Sequence, residues 1–130
     1  MLDETSQGTA MDQQFEARLA IVRGRFSAKL MERLQQAAVD LPRMAEDEAV
    51  SAEIVATTYR WIHDICGIAS TIGFEAIGQA ARACDTVLIG PYRARRGLET
   101  GELNDFTTRL GLLRAAAQAA RCSPETSQVN

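Results

Sequence analysis

The chain carries a single histidine, His63, inside the stretch TYRWIHDICGIASTIGFEAIG. An imidazole can be a nucleophile, a general acid or base, or a metal ligand, so its surroundings decide which chemistry is open to it. Cys66 lies one helical turn on and Cys84 lies further along. A zinc site takes three or four such ligands. One histidine with two thiols, one of them on an apolar stripe, falls short of that, and no metal site is expected. The remaining roles need an accessible ring. On a helix turning about 100° per residue, the apolar residues Ile54, Thr58, Trp61, Ile65 and Ala69 centre about 200° away from His63. The ring is therefore expected to face away from the core, not into it.

The neighbours of His63 on that outward face are small. Ala56, Gly67 and Ser70 fall within about 40° of it. Gly67 sits mid-helix, where glycine costs about 1 kcal/mol relative to alanine, and close approach of another molecule would account for it. Arg60, one turn earlier, can draw an anion towards the ring. If the chain reverses at Gly73–Phe74, antiparallel pairing sets Asp85 level with His63, with Gly78 and Ala81 flanking it. Two readings of Asp85 stand at this point. It can be a solvated acid paired with Arg82 at the i, i−3 position. It can instead accept the Nδ1 proton of His63, fix the tautomer and leave Nε2 free to attack.

The elements that must hold these residues are helices. Apolar residues recur every three or four positions, without strand-like alternation. The first run is Phe15, Leu19, Val22, Phe26, Leu30, Leu34, Ala37 and Leu41, with Asp12 as N-cap and Pro42 as terminator. A helix of that length outruns so small a domain; either Gly24 bends it or one end projects. The second helix runs from near Glu46 to Ile72, with Ile54, Thr58, Trp61, Ile65, Ile68, Ala69 and Ile72 inward. The third runs from Phe74 to about Ile89, where Gly90–Pro91 stops it, with Ile77, Ala80, Cys84, Val87 and Leu88 inward. PYRARRGLETG reads as a basic linker. The fourth runs from about Glu102 to Arg121, with Leu103, Phe106, Leu110, Leu113, Ala117 and Ala120 inward. Short connections between amphipathic helices make an all-α, antiparallel four-helix bundle over residues 12–122, between flexible tails at 1–11 and 123–130.

Composition narrows the function classes. With 130 residues and 46% hydrophobic content, one core can form without metal or disulfide support. A net charge of −3 gives no overall attraction for nucleic acid, and the three arginines of Arg93–Arg96 read as a solvated loop. No run of about 18 apolar residues spans a membrane. The opening MLDETSQGTAMDQ is unlike a secretion signal. Three cysteines without framework spacing suit reduced thiols in a cytoplasm.

The segment HDICGIASTIG resembles the signature of histidine-containing phosphotransfer domains. That signature is a histidine followed by an apolar residue two on, usually a lysine three on, and glycines four and ten on. His63, Ile65, Gly67 and Gly73 match it, and Cys66 stands where the lysine is expected. The specific motif covers about positions 58–88. The resemblance implies an antiparallel four-helix bundle with the histidine exposed on the second helix. The family places a Gln or Glu against the ring 22 positions on, where this chain has Asp85. It also implies a phosphocarrier in a two-component phosphorelay, not an independent enzyme. His63 would carry the phosphoryl group between a sensor histidine kinase or receiver aspartate and another response-regulator receiver domain. Arg60, Gly67, Ser70, Ala56, Cys66 and Gly78 would line the docking surface. The chain would hold no cofactor of its own, and the partner would bring Mg²⁺ and the acidic cluster. Neither nucleic acid nor membrane is an expected partner. The alternative is a helical adaptor that binds receivers or kinases without being phosphorylated.

Overall fold

The computed structural model describes residues 2–45 and 49–129, with side chains over residues 10–45 and 49–121. Four helices account for it: α1 Leu2–Met44, α2 Ala49–Thr71, α3 Glu75–Ala94 and α4 Thr100–Val129. No strand occurs among the described residues. Each helix packs on two neighbours, in the ring order α1–α2–α3–α4. The all-α antiparallel four-helix bundle is the architecture that the apolar periodicity requires.

The core is Leu30, Leu34, Ala37 and Met44 of α1, with Val55, Ile62, Ile65 and Ala69 of α2. From the other side come Ile77, Ala81, Cys84 and Leu88 of α3 and Phe106, Leu110, Leu113 and Ala117 of α4. On α2 the buried stripe differs from the expected one. Tyr59, Ile62 and Cys66 are buried, Trp61 is half-buried and Ile68 is exposed. The inward face is thus turned by about 60° towards the Tyr59–Cys66 side. The cause is tertiary: α2 packs against both α1 and α3, and its inward face must serve both.

Helix ends differ from expectation in both directions. α1 begins at Leu2, so Asp12 lies inside it and does not cap it, and helix replaces the N-terminal tail. Likewise α4 continues to Val129. Pro42 sits in the last turn of α1, and Pro91 lies within α3, which runs on to Ala94. The expected start of the second helix near Glu46 lies outside the described residues. Much of the basic linker is therefore helical, and the connection to α4 shortens to residues 95–99.

The α2–α3 turn explains its glycine. Phe74 N–H donates to the Ala69 carbonyl at 2.7 Å and Gly73 N–H to that of Ser70 at 3.2 Å, closing α2 with a Schellman motif. That motif needs a left-handed residue, and Gly73 supplies φ 89°. Space also demands glycine: a Cβ at position 73 would stand 2.6 Å from the Arg23 guanidinium. Arg23 Nε in turn donates to the Ile72 carbonyl at 2.7 Å. The α3 end repeats the motif with a side chain present. Arg95 takes φ 55°, a conformation that costs a non-glycine residue roughly 1 kcal/mol. Its surroundings hold it there. Leu98 N–H reaches the Met44 carbonyl at 2.8 Å, and Arg96 grips Glu102 through two bonds of 2.7 and 3.0 Å. Glu102 also accepts Glu99 N–H at 2.9 Å, which is half of a capping box for α4.

Candidate functional site

His63 stands on the solvent side of α2, with its side chain 61% exposed. Its Nδ1 lies 2.8 Å from Asp85 Oδ2 on α3. An ionised carboxylate can only accept, so Nδ1–H is the donor and Nε2 keeps its lone pair towards solvent. Asp85 is 16% exposed, so a well-covered carboxylate holds an open ring. Of the two sequence readings of Asp85, the geometry selects contact with the imidazole. The ion pairs among the described residues include His63–Asp85 and none between Asp85 and Arg82.

The small residues expected around the ring do different jobs. Gly67 is exposed, and a Cβ there would meet nothing within 4 Å. No packing contact among the described residues requires glycine at that position. With Asp64, Ile68, Thr71 and Ile72 it lines a shallow depression of about 390 Å³ beside the histidine turn. Gly78, by contrast, is buried, and a Cβ on it would lie 2.7 Å from Ser70 Oγ. Ser70 is half-buried and donates to the Cys66 carbonyl at 3.4 Å. This pair sets how closely α2 and α3 approach, and that approach brings Asp85 to the ring. Placing Gly78 on a docking surface is therefore corrected: it is an interhelical contact. Cys66 is likewise buried, with Sγ 4.0 Å from Asp85 Oδ2. It supports the carboxylate from below and does not face a partner. Ala56 is half-buried two turns before the ring.

Two aromatic residues escaped the sequence reading. The Tyr59 ring stacks on His63 with centroids 5.5 Å apart and planes at 23°. Tyr92 stacks on Tyr59 at 4.3 Å and 22°. The Arg60 guanidinium caps the row, 5.8 Å over the Tyr92 ring, within range of a cation–π contact. The signal for Tyr59 was present, since it lies four residues before His63 and hence on the same side of α2. Tyr92 was hidden by the assumption that α3 stops at Pro91. Burial, and then the Asp85 charge, raise the Tyr59 phenol above its ordinary pKa, while Arg93 opposes this. Burial and Asp85 raise the Cys66 thiol in the same way. Both groups are thus neutral props of the site at neutral pH.

Among the described residues no three His, Cys, Asp or Glu side chains converge as a metal site, and no helix is long and apolar enough to cross a membrane. No family model, no curated protein and no solved structure matches the chain. The arrangement itself is an exposed imidazole with one nitrogen held by a covered carboxylate, one face on a tyrosine, and the other nitrogen free. Chemically, such a ring can act as a nucleophile with its tautomer held and a counter-ion in place for any positive charge it takes on.

Proposed function

We propose that this protein is a histidine phosphotransfer protein that carries a phosphoryl group on His63 Nε2. The donor is a phosphoaspartate of a receiver domain or the phosphohistidine of a sensor kinase. In the first case the Nε2 lone pair attacks phosphorus, the new P–N bond forms, and the acyl P–O bond breaks to release the partner's carboxylate. Nδ1–H stays on Asp85 throughout, so the ring's positive charge develops against a carboxylate already in place. The reverse sequence discharges the group onto the next receiver. The partner supplies Mg²⁺, and this chain contributes the nucleophile and a docking face.

The 2.8 Å Nδ1–Asp85 bond behind an otherwise exposed ring carries the reading. An idle surface histidine has no need of a carboxylate held in place by a close α2–α3 crossing. The shallow depression beside Gly67 and Ile68 offers an apolar footing for a transient partner. One observation favours a second reading, a non-phosphorylated adaptor for receivers or kinases: position 66 is a buried cysteine where the resembling family has lysine.

Incubation with a panel of phosphorylated receivers and kinases separates the two. Acid-labile label on the wild type, absent from His63→Gln, is expected. Binding of a receiver without any label would establish the adaptor. Label persisting in His63→Gln would refute the assignment of His63.

A further inference from the structure

A single hydrogen bond does not aim an imidazole. The last torsion of a histidine side chain joins an sp³ to an sp² carbon, and its minima are broad. The Nδ1–Asp85 bond sets which nitrogen is free, but it lets the ring rock about that contact. The lone pair of Nε2 lies in the ring plane, so rocking sweeps the line of attack. Phosphoryl transfer needs the attacking and leaving atoms roughly in line. Solvent cannot steady a ring that is 61% exposed, so a second contact has to.

Tyr59 is that contact. It precedes His63 by one turn of α2 and stacks on it with centroids 5.5 Å apart and planes 23° apart. Tyr59 is itself held, being buried and stacked on Tyr92 at 4.3 Å. Tyr92 belongs to α3, seven residues after Asp85, and residues so spaced fall within about 20° on one side of a helix. Thus α3 reaches the imidazole twice, directly through the Asp85 carboxylate and indirectly through Tyr92 and Tyr59. The Arg60 guanidinium closes the row over Tyr92. The chain has two tyrosines, and both stand here. Burial alone would be served at position 59 by an aliphatic side chain, as Ile62 and Ile65 serve it further along α2. On the phosphotransfer reading, on which this rests, we propose that Tyr59, backed by Tyr92, is a positioning residue. It fixes the plane of the His63 ring, and with it the line on which Nε2 meets the phosphoryl group of a docked partner.

Aim matters to a donor that arrives in a fixed pose and not to one that tumbles. A receiver docks and presents its phosphoaspartate from one direction. Phosphoramidate is small and free. Nε2 attacks its phosphorus, the Nε2–P bond forms, the donor's P–N bond breaks, and ammonia leaves. It approaches along whichever line the ring offers. Loss of aim should therefore slow the first donor and spare the second, whereas a group that acts on the ring's reactivity should slow both.

The test labels the full chain with each donor: phosphoramidate alone, and the phosphorylated receiver that labels the wild type fastest. Tyr59→Leu should lower the rate at saturating receiver by about 3–10-fold, the loss of one aromatic pair. Its half-saturation and its phosphoramidate labelling should stay within about twofold of wild type. Tyr59→Phe keeps the stack and should match wild type throughout. Tyr92→Leu removes the backing from a half-buried site, so it carries the test if Tyr59→Leu does not fold. It should show the same split at smaller amplitude. ¹³C relaxation of the His63 ring in the unphosphorylated protein should report greater ring motion in both leucine variants and not in Tyr59→Phe. A folded leucine variant that transfers at the wild-type rate, or that slows equally with both donors, overturns the proposal. So does ring motion that stays unchanged. Failure of the phosphotransfer reading looks different: no receiver labels the wild type, and the ring-motion comparison still decides whether Tyr59 holds the ring.

Discussion

Removal of the Asp85 carboxylate is the sharpest perturbation of the His63 site. Asp85→Ala leaves the helix intact, because alanine is the best helix former, and it takes away the acceptor 2.8 Å from Nδ1. Two effects follow. The ring loses its tautomer lock, so a fraction of molecules places hydrogen on Nε2, where it blocks attack. The positive charge that develops on the ring also loses its counter-ion. Unit charges about 4 Å apart are worth roughly 4 kcal/mol at an effective dielectric of about 20 and roughly 1 kcal/mol in water. The imidazole is 61% exposed, so screening takes the value towards the lower limit, to about 1–2 kcal/mol in the transition state. At about 1.4 kcal/mol per decade, phosphoryl acceptance should slow by about 5–30-fold. Asp85→Asn retains an acceptor oxygen without the charge, so it should keep the Nδ1–H tautomer and recover part of the rate. Rapid-quench transfer from a phosphorylated receiver measures the first quantity, and ¹⁵N shifts of the ring measure the second. A rate within twofold of wild type in Asp85→Ala, with unchanged ring shifts, would show that the contact does not act in the chemistry.

Three further outcomes are expected. Gly67→Gln should stabilise α2 by up to about 1 kcal/mol, since its Cβ meets nothing, yet slow transfer to a receiver; unchanged transfer would leave that glycine without a docking role. Gly73→Ala must keep a left-handed φ and displace the Arg23 guanidinium, so urea unfolding should show a loss of about 1–2 kcal/mol. Glu102, whose carboxyl is held below its ordinary 4.5 mainly by the bond from Arg96, contributes stability that is complete above about pH 4.5 and disappears as pH falls through its lower folded value. The stability gap between wild type and Glu102→Gln should therefore be open at pH 6 and close towards pH 3; a gap that widens on acidification would contradict the pairing.

Fold class was legible because four amphipathic runs left no alternative. Leu30, Leu34, Phe106, Leu110 and Leu113 all lie where a period of 3.6 places them. What the period could not supply was which way a helix with apolar residues on several sides would turn. On α2, Trp61 and Ile68 were as apolar as Tyr59 and Ile62. Only the simultaneous demands of α1 and α3 separate the buried pair from half-buried Trp61 and exposed Ile68. Proline was read too strictly for the same kind of reason. Pro42 and Pro91 sit where the preceding helix continues for two or three residues, and a proline stop marks a region, not a residue.

The site was legible to the extent that it depends on one turn. Once the hairpin was placed at Gly73, the level of Asp85 followed from antiparallel geometry, and the 2.8 Å contact lies there. Interhelical depth, in contrast, is not written in spacing. Gly67 and Gly78 looked alike as small residues near a functional face. One opens onto solvent, and the other lets Ser70 and α2 approach α3. Cys66 shows the same limit from the functional side. Three residues after the histidine, the resembling family offers a cation to its partner, but here the α2 stripe is turned so that position 66 is buried beneath Asp85. A lysine in this orientation would have to bury its charge or pull α2 away from α3. The cation at the site is instead Arg60, one turn before His63, aligned over Tyr92 at the end of the Tyr59–Tyr92 stack. The burial of Cys66 and the stacking of Tyr59 against His63 and Tyr92 both follow from the way α2 is turned in this bundle. Within the proposed function, that orientation puts the electrostatic contact with a partner at Arg60, on the N-terminal side of the phosphoryl-accepting ring.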